Sequence, residues 1–332
     1  MTAVSDELPV QPLSLTHQHI FSVINTRLRH RHCPPSNSLP QKLRVLDIGC
    51  GDGLLISFLQ TMFEHHYPQV DIEIYGFDIG EVGYQNDQQL PNTISLLRER
   101  HPHVDWQQRI NLRSLGAQWS YPPGFFDIAV SNQVLEHVDD LDDFLRNLKS
   151  SLHTNGFSVH LFPLGNHIVE EHTRMPFIHY VKDQESRTAY ARLLNRIGLS
   201  RYRYDQKALG YTDPNTHAED TAKFIQGFTC YRKFSDFYRH CNELCLSLSH
   251  HYTKDFYLAK ARQLARLKPA LTYRSWDFCL AESVLSGLLK YVSSVTLTIA
   301  PVNYDIGDRI RCEKEFWQRV NTHQREAAKQ AA

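Results

Sequence analysis

Val45-Leu46-Asp47-Ile48-Gly49-Cys50-Gly51-Asp52-Gly53 joins a short apolar run to three alternating glycines. Such a run reads as a buried strand, and the glycines as a turn that hands the chain to a helix. Glycine tolerates positive φ and lets backbone amides approach a ligand closely. The helix that follows offers unsatisfied N–H groups and the positive end of its dipole. The turn is therefore a cofactor-binding device. Its spacing is G-x-G-x-G, whereas a dinucleotide fingerprint requires G-x-G-x-x-G and a phosphate-binding loop ends in Gly-Lys-Ser/Thr. Asp52 places a carboxylate beside the anion site and argues further against pyrophosphate.

Working outward, apolar positions at Leu15, Ile20, Val23, Ile24 and Leu28 follow a helical period and predict a helix over residues 13–31. Cys33 to Ser38 reads as a linker, and strand one begins at Leu43. After the glycine turn, Leu54, Leu55, Phe58, Leu59 and Met62 share one helical face. A second strand, Ile72 to Phe77, ends in Asp78, where a carboxylate can accept hydrogen bonds from two ribose hydroxyls; a helix cap is the alternative. Arg109 to Ser114, Phe126 to Ser131 and Phe157 to Phe162 are the next strands, the last following an Asn155-Gly156 turn. Strands alternating with helices imply an α/β parallel sheet wound on both faces, with ligands at the carboxyl ends of the strands.

The glycine stretch resembles motif I of the class I S-adenosylmethionine-dependent methyltransferases, commonly worded LDIGCGDG. Phe126-Asp127 and Leu135-Glu136-His137-Val138 are similar to the same family's fourth-strand motif. The resemblance implies a Rossmann-like, mostly parallel sheet of seven strands with a partly helical insertion after strand five. Phe228 to Cys241 would then be the penultimate helix, Leu244 to Ser249 the sixth strand and Val292 to Ile299 the seventh, with a helical excursion over Tyr252 to Lys290. The implied parts are an N-terminal helix and linker (1–40), a cofactor-binding core (41–163), a substrate cap (164–226) and a completion of the core (227–332). S-adenosylmethionine is the implied cofactor. The residues that would hold it are Asp47, Gly49, Cys50, Gly51, Gly53, Asp78, Ile79, Leu115, Gly116, Asn132 and Gln133. Gly116 stands where many relatives carry an acid for the adenine amino group, which would leave adenine to backbone groups near Leu115 and Gly116.

Methyl transfer is an in-line displacement, so alignment of donor and acceptor is the main task. A hydroxyl acceptor also requires a base, and histidine is the side chain matched to neutral pH. His137 is the first candidate, with Glu136 and His137 opening the helix after strand four. His167 and His172 are the others, on the segment Phe162 to Phe177 that leaves the carboxyl end of strand five; His179 and Tyr180 continue that lip. His167, Glu171 and His172 are residue types that bind divalent metals. Pro163 and Gly165 weaken the helix that would align His167 with Glu171, so no metal ligand is assigned. Arg196, Arg201 and Tyr202 suit either an anionic acceptor or a solvated helix face.

Composition sets outer limits. The chain has 332 residues, with 36 basic and 36 acidic side chains, so its totals point to no polyanion partner. No Asn/Asp-Pro-Pro-Tyr/Phe motif is present, and a nucleic-acid acceptor is not expected. Seven scattered cysteines fit reduced thiols, Cys241 and Cys245 being a helix-buried pair. Residues 1–12 have no apolar run, and Glu282 and Lys290 argue against a membrane span over Cys279 to Ala300. The expected protein is cytoplasmic, without a transmembrane segment, and methylates a small-molecule or glycan-like acceptor, with oxygen favoured. N- or C-methylation of a metabolite, lipid or quinone precursor and a catalytically silent binding protein are the alternatives. The oligomeric state is not legible.

Overall fold

Alternation of side chains along the strands explains why helices cover both faces of the sheet. In the computed structural model, which describes residues 14–31, 41–79, 89–113, 119–170, 172–273 and 280–302, the strands are β1 (Lys42–Ile48), β2 (Asp71–Ile79), β3 (Ile110–Arg113), β4 (Phe126–Asn132), β5 (Leu152–Pro163), β6 (Leu246–Ser249) and β7 (Ser294–Pro301). They form one sheet in the order β3-β2-β1-β4-β5-β7-β6. β1 pairs in parallel with β2 and β4, and β7 runs antiparallel between β5 and β6.

The helices are α1 (Leu15–Arg31), α2 (Leu54–His66), α3 (Gln89–Arg100), α4 (Leu141–Ser151), α5 (Gln184–Ile197), α6 (Tyr202–Ala208), α7 (Pro214–Phe228), α8 (Phe234–Glu243), α9 (Thr253–Leu264) and α10 (Leu280–Leu289). Val45, Ile128, Val130, Val159 and Leu161 face a core shared with Phe21 and Ile24 of α1, Phe58 and Met62 of α2 and Phe256 of α9. Their strand neighbours Leu46, Ala129 and Phe162 face the opposite core, with Phe144 and Leu148 of α4 and Phe237 of α8. A third cluster, Met175, Ile178, Ala191, Leu194, Ala218 and Ile225, lies within the stretch after β5 and joins α5 to α7.

Several expectations are corrected. β5 starts at Leu152, because a bulge between its pairings with Phe126 and Ile128 absorbs the expected Asn155-Gly156 turn. A Cβ on Gly156 would lie 2.8 Å from the His153 carbonyl oxygen and 3.0 Å from that of Asp127, which accounts for glycine there. The helix expected from Phe228, before the sixth strand, is α8 and begins at Phe234, since α7 occupies the chain as far as Phe228. Cys241 is buried in α8, but Cys245 lies beyond its end and is exposed, so the two are not a helix-buried pair. His66 and His101 are buried; His101 Nε2 lies 3.1 Å from Ser57 Oγ. The apolar stretch from Cys279 divides into α10 and β7, and among the described residues no helix is long and apolar enough to cross a membrane.

Candidate active site

The carboxyl ends of β1, β2 and β4 meet at one edge. Gly49, Gly51 and Gly53 all have positive φ, +70°, +50° and +77°. The Gly49 and Cys50 amides donate to the Phe77 carbonyl at 2.9 and 3.0 Å, stitching the turn to β2. A Cβ on Gly49 would lie 2.5 Å from Val134 Cγ2, and one on Gly53 2.9 Å from Thr93 Cγ2. At Gly51 an added Cβ meets nothing within 4 Å. Two of the glycines are thus required by the protein's own packing, while the middle one leaves open space beside its backbone, where a ligand fits.

Asp78, at the end of β2, accepts hydrogen bonds from the Gly51 amide (2.6 Å) and the Ile79 amide (2.7 Å). Each carboxylate oxygen keeps further lone-pair capacity toward hydroxyl donors. Asp47 is buried beneath the turn; burial, then the nearby Asp78 and Asp52 charges, push its carboxyl well above the usual range. Cys50 turns its thiol toward β2, where a Cβ on Gly76 would sit 3.1 Å from Cys50 Sγ. A ligand beside the turn would therefore meet its backbone and not its thiol. Asn132 and Gln133 lie at the end of β4, Gln133 with φ of +57° and its amide on the Leu161 carbonyl at 2.8 Å. Leu115 and Gly116 lie outside the described residues, as does Glu171.

The first turn of α1 closes over this edge. Thr16 Oγ1 accepts from Asn132 Nδ2 at 3.3 Å, and His17 lies within the field of Asp52, although burial is the larger influence and lowers its pKa. The sequence offers no signal for this contact, because the apolar period of α1 reports only the face turned to the core.

The three histidines of interest separate into two groups. Glu136 and His137 lie in a turn that precedes α4, not within the helix as expected, because Asp140 caps α4 by accepting from the Asp143 amide. Glu136 is fully buried. His137 Nε2 lies 3.9 Å from Glu136 Oε1, and His172 Nε2 lies 3.8 Å from the same oxygen. The Nδ1 of His137 contacts the Phe228 carbonyl, which can only accept, so Nδ1 carries the proton. Burial lowers the His137 pKa, against the raising effect of that bond.

His172 Nδ1 lies 2.7 Å from Glu170 Oε1. Glu170, also fully buried, accepts from the Thr173 amide at 2.7 Å and the Tyr231 hydroxyl at 2.6 Å. Burial alone would raise its pKa, but His172, Thr173 and Tyr231 outweigh it and hold the carboxyl at about 2. Glu170 is thus ionised at neutral pH and accepts the His172 Nδ1 proton. Glu170 and Tyr231 are functional candidates that sequence reasoning missed; Tyr231 arrives from 61 residues away.

His167 is not brought to this group. It is fully buried, its Nδ1 donates to the Leu164 carbonyl, and its ring stacks on His179 at 3.9 Å and 3°. Its segment forms turns and an isolated Val169–Pro176 bridge rather than a helix. Two of the insertion's arginines are engaged with acids: Arg192 with Glu219 (2.8 Å) and Arg201 with Asp205 (2.8 Å).

Residues 18–203, more than half of the chain, match the family model of the methyltransferase domain. The chain belongs to that family. It is an S-adenosylmethionine-dependent methyltransferase, and the residues at the β1, β2 and β4 ends fit the cofactor through the open flank of Gly51 and the carboxylate of Asp78. Similar solved structures include the YcgJ protein from Bacillus subtilis (12% identity, TM-score 0.42, covering 86% of this chain and all of that one) and an S-adenosylmethionine-dependent methyltransferase from Mesorhizobium loti (13%, 0.41, 79% and 93%). A third is PKMT2 from Rickettsia typhi (15%, 0.44, 90% of this chain), of which the methyltransferase spans 56%. No curated protein matches the chain.

Proposed function

We propose that this methyltransferase modifies a hydroxyl oxygen of a small-molecule or glycan-like acceptor, activated where Glu136, His137 and His172 converge. The observation that carries the reading is the pair of imidazoles whose Nδ1 atoms are held and whose Nε2 atoms face one buried carboxylate. A hydroxyl loses its proton far above neutral pH, so it is the acceptor type that requires such an arrangement. An amine is already nucleophilic once neutral.

S-adenosylmethionine, when bound, supplies an electrophilic methyl group on a sulfonium. The backbone of Gly49, Gly51 and Gly53, the Asp78 carboxylate and the ends of β4 at Asn132 and Gln133 orient it. Asp47, Cys50 and Ile79 shape the same wall, and Leu115 and Gly116 complete the proposed adenine side. The Glu170 carboxylate fixes the His172 ring and tautomer, and the cluster receives or screens the charge of the departing hydroxyl proton. His167 serves as packing beneath the lip. Residues 164–226 are proposed as the cap that shapes the acceptor pocket, on the sheet-completed core of 41–163 and 227–332, with 1–40 as the leading segment. A cytoplasmic location is proposed.

The test uses labelled cofactor with panels of hydroxyl and amine acceptors, and calorimetry with S-adenosylhomocysteine. Asp78→Ala is expected to weaken the latter at least about 100-fold, since two hydrogen bonds to a carboxylate are lost. His172→Ala is expected to lower kcat on hydroxyl acceptors by about 10²–10⁴-fold with S-adenosylhomocysteine affinity retained. Turnover confined to amines and indifferent to His172→Ala would overturn the reading.

A further inference from the structure

We infer that Glu136, His137 and His172 form a site for one divalent first-row metal cation of the zinc or cobalt type. Their donor atoms lie within 4.8 Å of one another, and they make the one group of this kind among the described residues. His137 Nε2 and His172 Nε2 stand 3.9 and 3.8 Å from Glu136 Oε1, beyond hydrogen-bond range. Bonds of about 2.0–2.2 Å to imidazole nitrogen and carboxylate oxygen put two ligands of one tetrahedral ion roughly 3.3–3.5 Å apart. Both histidine–carboxylate distances need close by only a few tenths of an ångström.

Tautomer and support agree with this. Both Nδ1 atoms are committed as donors, His137 to the Phe228 carbonyl and His172 to Glu170, so in the neutral rings both lone pairs sit on Nε2, toward Glu136. A carboxylate behind a ligating histidine is the usual outer support of such sites, and Glu170 is itself fixed by Thr173 and Tyr231. The backbone is pinned as well: the Cys230 amide donates to the Glu136 carbonyl at 2.6 Å, and Arg232 Nη1 to the Val138 carbonyl at 2.5 Å. The imidazoles are partly exposed, 28% and 25%, which gives an ion and a further ligand access. Two nitrogens and one oxygen suit zinc, cobalt or iron(II) better than magnesium or calcium, which favour all-oxygen shells.

The site shares its residues with the hydroxyl-activation reading but stands on the donor geometry alone. If it is filled, the acceptor oxygen is polarised by the cation and His172 acts as ligand. The test is titration of Co²⁺ and Zn²⁺ into the EDTA-treated full chain at pH 7.5, followed by Co²⁺ visible absorption and calorimetry, with S-adenosylhomocysteine binding as the check of folding. One equivalent is expected to bind, with Mg²⁺ far weaker. His172→Ala and His137→Ala should each weaken it at least about 100-fold, and Glu170→Gln about 10–100-fold. Should the buried Glu136→Gln or Glu170→Gln variant fail to bind S-adenosylhomocysteine, His137→Ala at the rim decides the matter. Equal Co²⁺ binding by wild type and both histidine variants, or none by wild type, overturns the site; the latter with turnover still lost in His172→Ala leaves a metal-free histidine base. Cation binding combined with turnover on amines alone supports the site and overturns the hydroxyl reading.

Discussion

Gly49 and Gly51 share a left-handed backbone, with φ of +70° and +50°, but the space around them differs. Alanine in that conformation costs about 1–2 kcal/mol at either position. At Gly49 the new methyl also runs into Val134, 2.5 Å away, so part of the β4 turn must move. Gly49→Ala is therefore expected to destabilise the fold by about 2–5 kcal/mol, the sum of strain and overpacking. Gly51→Ala is expected to cost only the backbone strain in stability, yet to weaken S-adenosylhomocysteine binding more than 10-fold, because its methyl enters the proposed ligand space. Urea unfolding and calorimetry on the two variants separate these effects. Equal ligand affinity in Gly51→Ala and wild type would show that the cofactor does not pass there. The glycine spacing was legible in the sequence because φ > 0 has few substitutes. Which glycine has open space beside it was not, because that depends on Val134 and Thr93 arriving from other elements.

α5 and α7 are tied together through Arg187, whose guanidinium donates to the carbonyls of Val181 (2.8 Å), Lys182 (3.1 Å) and Ala222 (3.3 Å). Two of these precede α5 and the third lies inside α7, so one side chain sets the spacing of the pair. Arg187→Ala is expected to lower the local opening free energy of α5 and α7 by about 1–3 kcal/mol, as charged hydrogen bonds are lost. Amide hydrogen exchange should then quicken about 10–100-fold over residues 184–197 and 214–228, with β1, β4 and β5 unchanged. Exchange that quickens equally in the sheet would mean that the helices and the sheet open as one unit. This stretch was legible as a break in the β/α rhythm, since it lacks long apolar runs. Its internal arrangement was not, because it rests on polar contacts such as His217 with Asp205 at 3.1 Å, which leave no period in the sequence. The same reason placed Glu136 and His137 in a helix instead of a turn: the Asp140 cap that starts α4 later competes with an equally helical-looking run before it. Strand positions came through well, since burial on both faces makes a parallel strand apolar at every step.

Two buried histidines cross between elements and connect the whole molecule to pH. His19 of α1 places Nδ1 on the Tyr273 hydroxyl and Nε2 on the Thr296 hydroxyl of β7, both at 2.8 Å. His160 of β5 contacts Ser131 of β4 and Ser158, also at 2.8 Å. Hydroxyls satisfy a neutral ring, donating to one nitrogen and accepting from the other, and nothing nearby compensates a charged one. Burial accordingly pushes both pKa values down to about 3. The unfolded chain takes up a proton at each near pH 6.5, so the unfolded state binds more protons below that value. Stability is at its full value above about pH 6.5 and falls as the pH drops toward 3, by about 1.4 kcal/mol per pH unit for each histidine. Together they should remove about 4 kcal/mol between pH 7.5 and 5.0, a large part of the 5–15 kcal/mol typical of folded proteins. Glu170 adds nothing in that window, because its carboxyl, held at about 2, gives up stability only below about pH 4.5. Urea unfolding at the two pH values measures the loss directly. His160→Gln keeps a donor and an acceptor without a titrating ring, so it should reduce the loss by about 2 kcal/mol. An unchanged pH dependence in that variant would show that His160 is protonated in the folded chain, and would require a charge partner for it at the β4–β5 seam.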